Sequence, residues 1–407
     1  MPAKASYDAP FAGLKVIDLS QGIAGPYCAM LLAQQGADVI KIEPLETGDW
    51  TRILGCVYGD HSAYSIAGNL GKRSVALDLK SEPGKAVLWR LLQDADVMLE
   101  GFRPGVIGRL GFGYDAVAAR NARILYLSIS GFGQTGPLAE RPAMDPVLQA
   151  YSGLLMANRG EDGIPHRLPI IAIDMSTALY AFQALSGALY ARRDQTHGRY
   201  IETSLMQAAA CLQVVRMMGT WLEDGAAPVA AVPGGTFKTA DGWMQITVVQ
   251  QRDWISLCKA VDLPDLAADP RFAERGGRLE NQDALYAVLR PALAAMTTED
   301  LDRRLADARI MHERLNSYLE FLAHPHVERS GLIAWLNQAG LTRTAPVPNL
   351  PGLPPLIDGT ARAVAPTLGE HTEVVLHQHG YSKSQVAELV ARGVVGVPAV
   401  APRKKAS

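Results

Sequence analysis

Two aspartates stand where a carboxylate could do chemistry. Asp174 lies in "AIDMSTALYA", at the junction between the apolar run "LPIIAI" and a segment in which Met175, Leu179, Phe182, Ser186 and Leu189 recur at helical spacing. That placement predicts an N-cap, and Asp is a favoured cap because its oxygens accept the first backbone N–H groups of a helix. The same donors would keep the carboxylate ionised, at or below the ordinary aspartate range, so an accessible Asp174 could also attack an activated carbonyl. Capping and attack compete for its oxygens. Asp145, in "AMDPVLQA", precedes a proline that suits a first helical turn, and it too reads either as a cap or as a functional carboxylate.

Two glycine-rich stretches accompany them. "GFGQTGP" (131–137) follows the apolar run "ILYLSIS" and has the G-x-G-x-x-G spacing of a dinucleotide fingerprint. A dinucleotide site needs a helix opening at the glycines, since the pyrophosphate rests on its N-terminus. Pro137, Pro142 and Pro146 deny that helix, and the stretch reads as a glycine loop at a strand end. "VPGGTFKTADGWMQI" (232–246) reads as strands "GTFKTA" and "WMQITVV" joined at Asp241-Gly242. Its glycines, Gly234 and Gly235, could also approach a reactive intermediate closely and shield it from water.

The elements that must position these residues alternate. "LKVIDLS" (14–20), "ADVIKIE" (37–43), "SVALDL" (74–79), "DVMLEGF" (96–102) and "ILYLSIS" (124–130) read as buried strands. Helical segments lie between them, among them 26–36, with Pro26 in its first turn and Gly36 at its end, and 84–95. Such β-α-β alternation predicts an α/β fold with a parallel sheet of Rossmann-like type, and ligands at the carboxyl ends of its strands. The functional loops are then 20–26, 43–52, 101–110 and 131–146. We expect a large α/β domain from 1–200 and 330–407, a helical linker at 201–229, and a smaller α+β domain at 230–329. The Pro-rich "APVPNLPGLPPL" (345–356) reads as an extended linker, "HTEVVLHQHGYSKSQVAELVARGVV" as helices returning to the large domain, and "PAVAPRKKAS" as a disordered tail.

Composition narrows the class. The 407 residues are 48% hydrophobic and 20% charged, with a formal charge of −2, which gives no general positive face for nucleic acid or anionic membrane. Cys28, Cys56, Cys211 and Cys258 form no C-x-x-C pair, so a reducing compartment is expected. No apolar leader opens the chain and no run approaches the ~18 apolar residues of a membrane span, so the sequence places it in the cytoplasm. The histidines of "HPH" (324–326) and "HTEVVLHQHG" (371–380) lack the paired carboxylate or cysteine that would complete a metal set.

Several motifs, in order, carry a resemblance. "VIDLSQGIAGPYCAMLLAQQGADVIKIEPLETGDWTR", "GKRSVALDLKSEPGK", "DADVMLEGFRPGVIGRLGFGYD", "ILYLSISGFGQTGP", the Asp174 segment, "GRYIETSLMQAA" and "APTLGEHTEVV" together resemble a class III CoA-transferase, of the CaiB/BaiF family that includes formyl-CoA and carnitine CoA-transferases. The resemblance implies an interlocked homodimer, no tightly bound cofactor, and coenzyme A, an acyl-CoA and a small carboxylic acid as substrates. It implies that Asp174 is the nucleophile, forming an aspartyl anhydride and then an aspartyl-CoA thioester, with Asp145 beside it and Gly234 and Gly235 covering the intermediate. Backbone N–H groups at the start of the Asp174 helix are the expected oxyanion donors.

The same resemblance assigns CoA contacts. Lys80 and Arg109 match family positions, Lys72, Arg73 and Arg103 lie in the same motifs, and Gly22, Ile23 and Ala24 offer mainly backbone beside CoA. Formyl-CoA transferase has Gln, Arg and Asn where this chain has Ile23, Pro44 and Gly101, which argues against formyl transfer to oxalate. α-Methylacyl-CoA racemases share the fold, but they carry a proton-transferring His at the position of Met144, and a thioether moves no proton. A racemase and a non-catalytic CoA-binding protein are the alternatives. Arg52, Arg141 and Arg167, near or between the site motifs, suggest a small dicarboxylate, with succinyl-CoA as a candidate donor.

Overall fold

The structure, a computed structural model, describes residues 5–160, 162–225 and 231–398. It divides into two compact units, residues 1–214 with 331–407 and residues 215–330. All but the first residue of the tail expected to be disordered lies outside the described residues.

The first unit is built on a seven-stranded sheet: β1 (Lys15–Asp18), β2 (Asp38–Glu43), β3 (Arg73–Leu77), β4 (Val97–Glu100), β5 (Leu125–Ser130), β6 (Arg199–Ser204) and β7 (Val395–Gly396). The spatial order is β7-β3-β2-β1-β4-β5-β6. Every neighbouring pair is parallel except β7 with β3. The order 3-2-1-4-5-6 is that of a doubly wound α/β fold, and its direction reverses between β1 and β4.

Both faces of this sheet are covered, so its strands read as nearly continuous apolar runs. Helix α1 (Ala24–Gln34) lies on one face and α2 (Glu82–Leu92) on the other; α3 (Asp145–Tyr151) and α4 (Ala172–Ala191) join the first layer. Period-two alternation sorts the strand residues: Val16 and Val39 face Cys28, Leu32, Ala181 and Leu185, whereas Ile17 and Ile40 face Val87, Leu88 and Leu91. The C-terminal helices Thr372–Gln378 and Lys383–Ala391 return to the second face with Val375, Leu376 and Val386.

Two expected elements differ. The segment beginning at Glu202 is not a helical connection from its start, because residues up to Ser204 complete β6 at the sheet edge; helices Leu205–Leu212 and Val214–Leu222 follow. The Pro-rich segment is not a linker throughout. Ala345–Pro348 pairs antiparallel with Ile333–Leu336, and a two-stranded ribbon has free edges where proline's missing N–H breaks no ladder. Leu350 and Leu356 then pack on a cluster with Leu31, Ile66 and Leu336.

The second unit is a three-stranded antiparallel sheet with Trp243–Thr247 between Gly234–Lys238 and Met311–Arg314. Its helices, including Gln251–Ala260, Gln282–Ala294 and Thr298–Asp307, close over Trp254, Leu257, Leu289 and Leu301. The Asp241-Gly242 hairpin forms as read, with Thr239 N–H donating to the Gly242 carbonyl at 3.0 Å. Gly234 and Gly235 open its first strand. The chain is thus a mixed α/β protein with one large, mainly parallel sheet and smaller antiparallel ones.

Candidate active site

The reversal of strand order leaves a crevice at the carboxyl ends of β1 and β4, the place where doubly wound sheets bind ligands. A cleft of about 560 Å³ opens there, lined by the loops after β1 (Gln21–Gly25), β4 (Gly101–Pro104) and β5, and by Asp174. The first loop is held from below. Gly22 N–H donates to Asp49 Oδ1 at 3.1 Å, and Gly22 has φ +87°, with any Cβ lying 2.8 Å from the Trp50 ring. A larger residue would lose both the left-handed backbone and the contact with Trp50.

Beneath that loop lies a buried charge network. Lys41 pairs with Asp49 at 2.9 Å and Lys72 with Asp18 at 2.8 Å, all four side chains being shielded from solvent. Ser20 N–H donates to Asp18 Oδ1, and the Lys41 ammonium donates to the Ser20 carbonyl. Lys72 also donates to the Pro26 carbonyl and to Asn69 Oδ1. Burial, opposed by Asp18, pushes Lys72 down to about 8, still protonated at neutral pH. Lys72 therefore does not contact CoA; its three donors are spent inside the fold. Arg73 is also withdrawn, since it pairs with Asp38 and Gln378 at the amino end of β3, away from the cleft. Arg52 is bound by Glu43, Asp60 and the Pro366 carbonyl, which removes it from the candidate acid-binding residues.

The "GFGQTGP" stretch leaves β5 without starting a helix, and the next helix, α3, begins only at Asp145. A Cβ on Gly131 would sit 2.2 Å from that of Ala143, so the returning segment can fold back closely against the loop. That segment brings Arg141 and Met144 to the cleft wall.

The two aspartates meet at the start of α4, but not in the roles expected. Asp174 is not the N-cap: Ile171 holds that position, makes no side-chain cap bond, and Asp174 lies in the first turn. The cap comes from α3 instead. Buried Asp145 accepts from Ile173 N–H at 2.7 Å and Asp174 N–H at 3.0 Å through one oxygen, Oδ2. Met175 N–H is bonded to the Ile171 carbonyl, so these amides are not the free oxyanion donors the sequence suggested. The helix donors also fail to lower Asp174. Burial, reinforced by the negative Asp145, pushes the Asp174 carboxyl up to about 7 rather than holding it low.

This shift has a direct consequence for rate. On the expectation that Asp174 attacks as the carboxylate, kcat/KM for an acyl-CoA donor should climb about tenfold per pH unit below 7 and level off above it. Measuring that profile between pH 5.5 and 9 checks the assignment, and a flat profile would show that another group limits attack.

Other candidates divide between two cavities. Gly22, Ile23, Ala24, Arg103 and Arg141 line the first, and among the described residues neither arginine has a carboxylate partner. A second cavity of about 680 Å³ runs along the ends of β2 and β3 and is lined by Pro44, Lys80 and Val106. Gln21 and Phe102 line both. Arg109 is exposed at the end of the short helix Val106–Arg109, whose first residue lines the second cavity. Arg167 is exposed and lines neither. Gly234 and Gly235 belong to the second unit, where the Tyr286 hydroxyl bridges the Gly234 N–H and carbonyl. Sequence reasoning missed Asp49, Trp50 and Gln149. The Asp145–Gln149 spacing of i, i+4 on a helix was an available signal for the last.

A doubly wound α/β core thus carries a cleft at its switch point, with one carboxylate, Asp174, in the wall and a second, Asp145, capping the helix that bears it. The chain belongs to CoA-transferase family III, whose family model matches residues 11–372. It is 40% identical over 294 residues to acetyl-CoA:oxalate CoA-transferase of Acetobacter aceti, covering 70% of this chain and 75% of that protein. It is 29% identical over 397 residues to human succinyl-CoA:glutarate CoA-transferase, covering 95% and 90% respectively. Among solved structures, an aspartate-to-alanine mutant of Rv3272 from Mycobacterium tuberculosis matches with a TM-score of 0.80 and 30% identity, over 92% of this chain and 99% of that one. A CAIB/BAIF family protein from Brucella suis matches with a TM-score of 0.79 and 29% identity, over 91% and 100%. Enzymes of this family take CoA thioesters as substrates.

Proposed function

We propose that the protein moves CoA from a dicarboxylic acyl-CoA, such as succinyl-CoA, to a second small carboxylic acid, with Asp174 as covalent nucleophile. The observation that carries this is the Asp174 carboxyl in the cleft wall, with the adjoining helix donors held by Asp145. An Asp174 oxygen attacks the donor thioester carbonyl; the C–S bond breaks and CoA leaves as thiolate. The thiolate attacks the Asp174 carbonyl of the resulting anhydride, expelling the donor acid and leaving an aspartyl-CoA thioester. The acceptor carboxylate attacks that thioester, again releasing thiolate, which takes the acceptor acyl group and frees Asp174. Each step exchanges one acyl bond for another and needs no redox partner.

Lys80, Arg103 and Arg109 are proposed CoA contacts with Gly22, Ile23 and Ala24, and Gly234 and Gly235 are the proposed cover that excludes water. The reading includes a cytoplasmic homodimer, as the family resemblance implies. Among the described residues no helix is long and apolar enough to cross a membrane. Proton exchange at the α-carbon is the weaker reading, because Met144, exposed in the cleft, fills the position where a second acid-base group would be required.

Arg141 is the proposed seat of the acceptor's distal carboxylate. The acids in the names of several relatives, oxalate, glutarate, L-malate and mesaconate, are all dicarboxylic. Arg141→Met should lower kcat/KM for dicarboxylates by about 10- to 100-fold, matching the loss of a charge-assisted hydrogen bond of about 1.5–3 kcal/mol, and leave propionate and butyrate within about threefold. Rates measured with succinyl-CoA and a panel including oxalate, glutarate and malate check this; an equal fall for mono- and dicarboxylates would remove Arg141 from the acid site.

A further inference from the structure

Gln149 has no assigned role, yet it is fully buried in α3 and every polar atom of its side chain is engaged. Its Nε2 donates to Asp145 Oδ1 at 2.6 Å and to the Ile170 carbonyl at 3.2 Å. Its Oε1 accepts from Leu168 N–H at 3.0 Å. The side chain thus joins two elements: α3, which carries Asp145, and the strandless segment 168–171 that leads into α4 and Asp174. An apolar residue would fill the same space. A buried amide with all these partners fixes direction as well as distance, since each bond has its own geometry.

We propose that Gln149 is a positioning residue for the nucleophile: its amide locks the Asp145 carboxylate onto the first amides of α4 and so keeps those amides from Asp174. The proposal rests on Asp174 being the nucleophile. Asp145 has two oxygens and divides them, Oδ1 to Gln149 and Oδ2 to the amides of Ile173 and Asp174. Without the Gln149 donor, Oδ1 is a buried carboxylate oxygen lacking its partner, and the side chain gains by turning to find another. Turning releases the Ile173 and Asp174 amides to the Asp174 carboxylate, which they stabilise at the positive end of the helix.

The charged group that acts on Asp174 is buried Asp145 from α3, while Arg141 from the segment before α3 and Arg103 from the loop after β4 share the cleft lining with it. The walls formed by α1 and Leu205 bring no charged group. Gln149 is neutral, so any change it makes in the ionisation of Asp174 must pass through the geometry of Asp145. This separates the proposal from a general packing role.

The experiment is the pH dependence of kcat/KM for succinyl-CoA in wild type, Gln149→Met, Asp145→Asn and the double variant, with thermal unfolding recorded for each. Gln149→Met is expected to move the acidic limb of the profile to lower pH by at least half a unit, with KM for the donor changed less than about threefold. Asp145→Asn should move it in the same direction, and the double variant no further than Asp145→Asn alone, because Gln149 acts through Asp145. If Gln149→Met does not fold, Gln149→Asn gives the same comparison, its amide falling a methylene short of its partners. A Gln149 variant that unfolds earlier but keeps the wild-type midpoint, or shifts that add in the double variant, would overturn the proposal while leaving Asp174 in place. If instead Asp174→Ala retained exchange, the underlying reading would fail.

Discussion

Asp174→Asn is expected to cost about 10,000-fold or more in the rate of CoA exchange, because an amide cannot form the anhydride and no other group in the cleft wall replaces the bond it makes. Binding of acyl-CoA should survive, since the proposed CoA contacts lie on other loops. A second outcome distinguishes loss of chemistry from loss of structure. The folded protein holds the Asp174 carboxyl at about 7 against the ordinary 3.8, so it binds that proton more tightly than the unfolded chain does. Stability from this group is complete below about pH 4 and is lost as pH rises through 7. The neutral asparagine carries no such penalty. The inactive variant should therefore unfold at a higher temperature than wild type at pH 8 and show the difference shrinking toward pH 4. Calorimetry at the two pH values, beside an exchange assay, reads both; a variant less stable at pH 8 would mean that burial of the charged carboxylate is not costly here.

The second large effect is structural. Asp18→Ala should destabilise the large unit by about 3–5 kcal/mol, the range for removing one member of a buried ion pair. Asp18 faces two ammonium groups, Lys72 at 2.8 Å and Lys41 at 3.8 Å, and also accepts from the Ser20 amide. Its loss leaves two buried cations sharing Asp49, which lies 2.9 Å from Lys41. The remainder of the penalty falls on the Ser20–Gly25 loop, so KM for acyl-CoA should rise with the loss of stability. Replacing the Asp18–Lys72 pair together by leucine and methionine should restore much of the stability, because apolar residues of similar volume carry no desolvation cost. Chemical denaturation of the three proteins tests the claim, and a cost under about 1 kcal/mol for Asp18→Ala would show that solvent reaches the network.

Five of the seven strands were legible because they are apolar runs, and their alternation with helical segments pointed to a parallel sheet with ligands at its carboxyl ends. Two were not: β6, whose end fell in the expected helical connection, and the two-residue β7, whose first residue was read as helix. The "GFGQTGP" match could be rejected from Pro137 and the prolines after it. Other features depend on contacts remote in sequence. Asp174 looked like a cap since local rules examine only neighbouring residues, whereas the true cap, Asp145, lies 29 residues away. Lys72 and Arg52 sit in motifs beside the cleft loops, but charge alone does not say whether a side chain faces water. Their partners, Asp18 at a separation of 54 residues and Pro366 at 314, settle it. Ala345–Pro348 misled for the opposite reason: a proline-rich composition suggests an unpaired chain, and only Ile333–Leu336 alongside makes it a strand.

The proposed covalent role of Asp174 can be tested directly. Enzyme incubated with succinyl-CoA and then quenched with hydroxylamine should yield an Asp174 hydroxamate, because hydroxylamine cleaves both anhydride and thioester at the aspartyl carbonyl. Peptide mass spectrometry should find a mass increase confined to the peptide carrying Asp174, dependent on the acyl-CoA and absent from Asp174→Asn. An enzyme that exchanges CoA at full rate under the same conditions, with Asp174 unmodified throughout, would contradict the account.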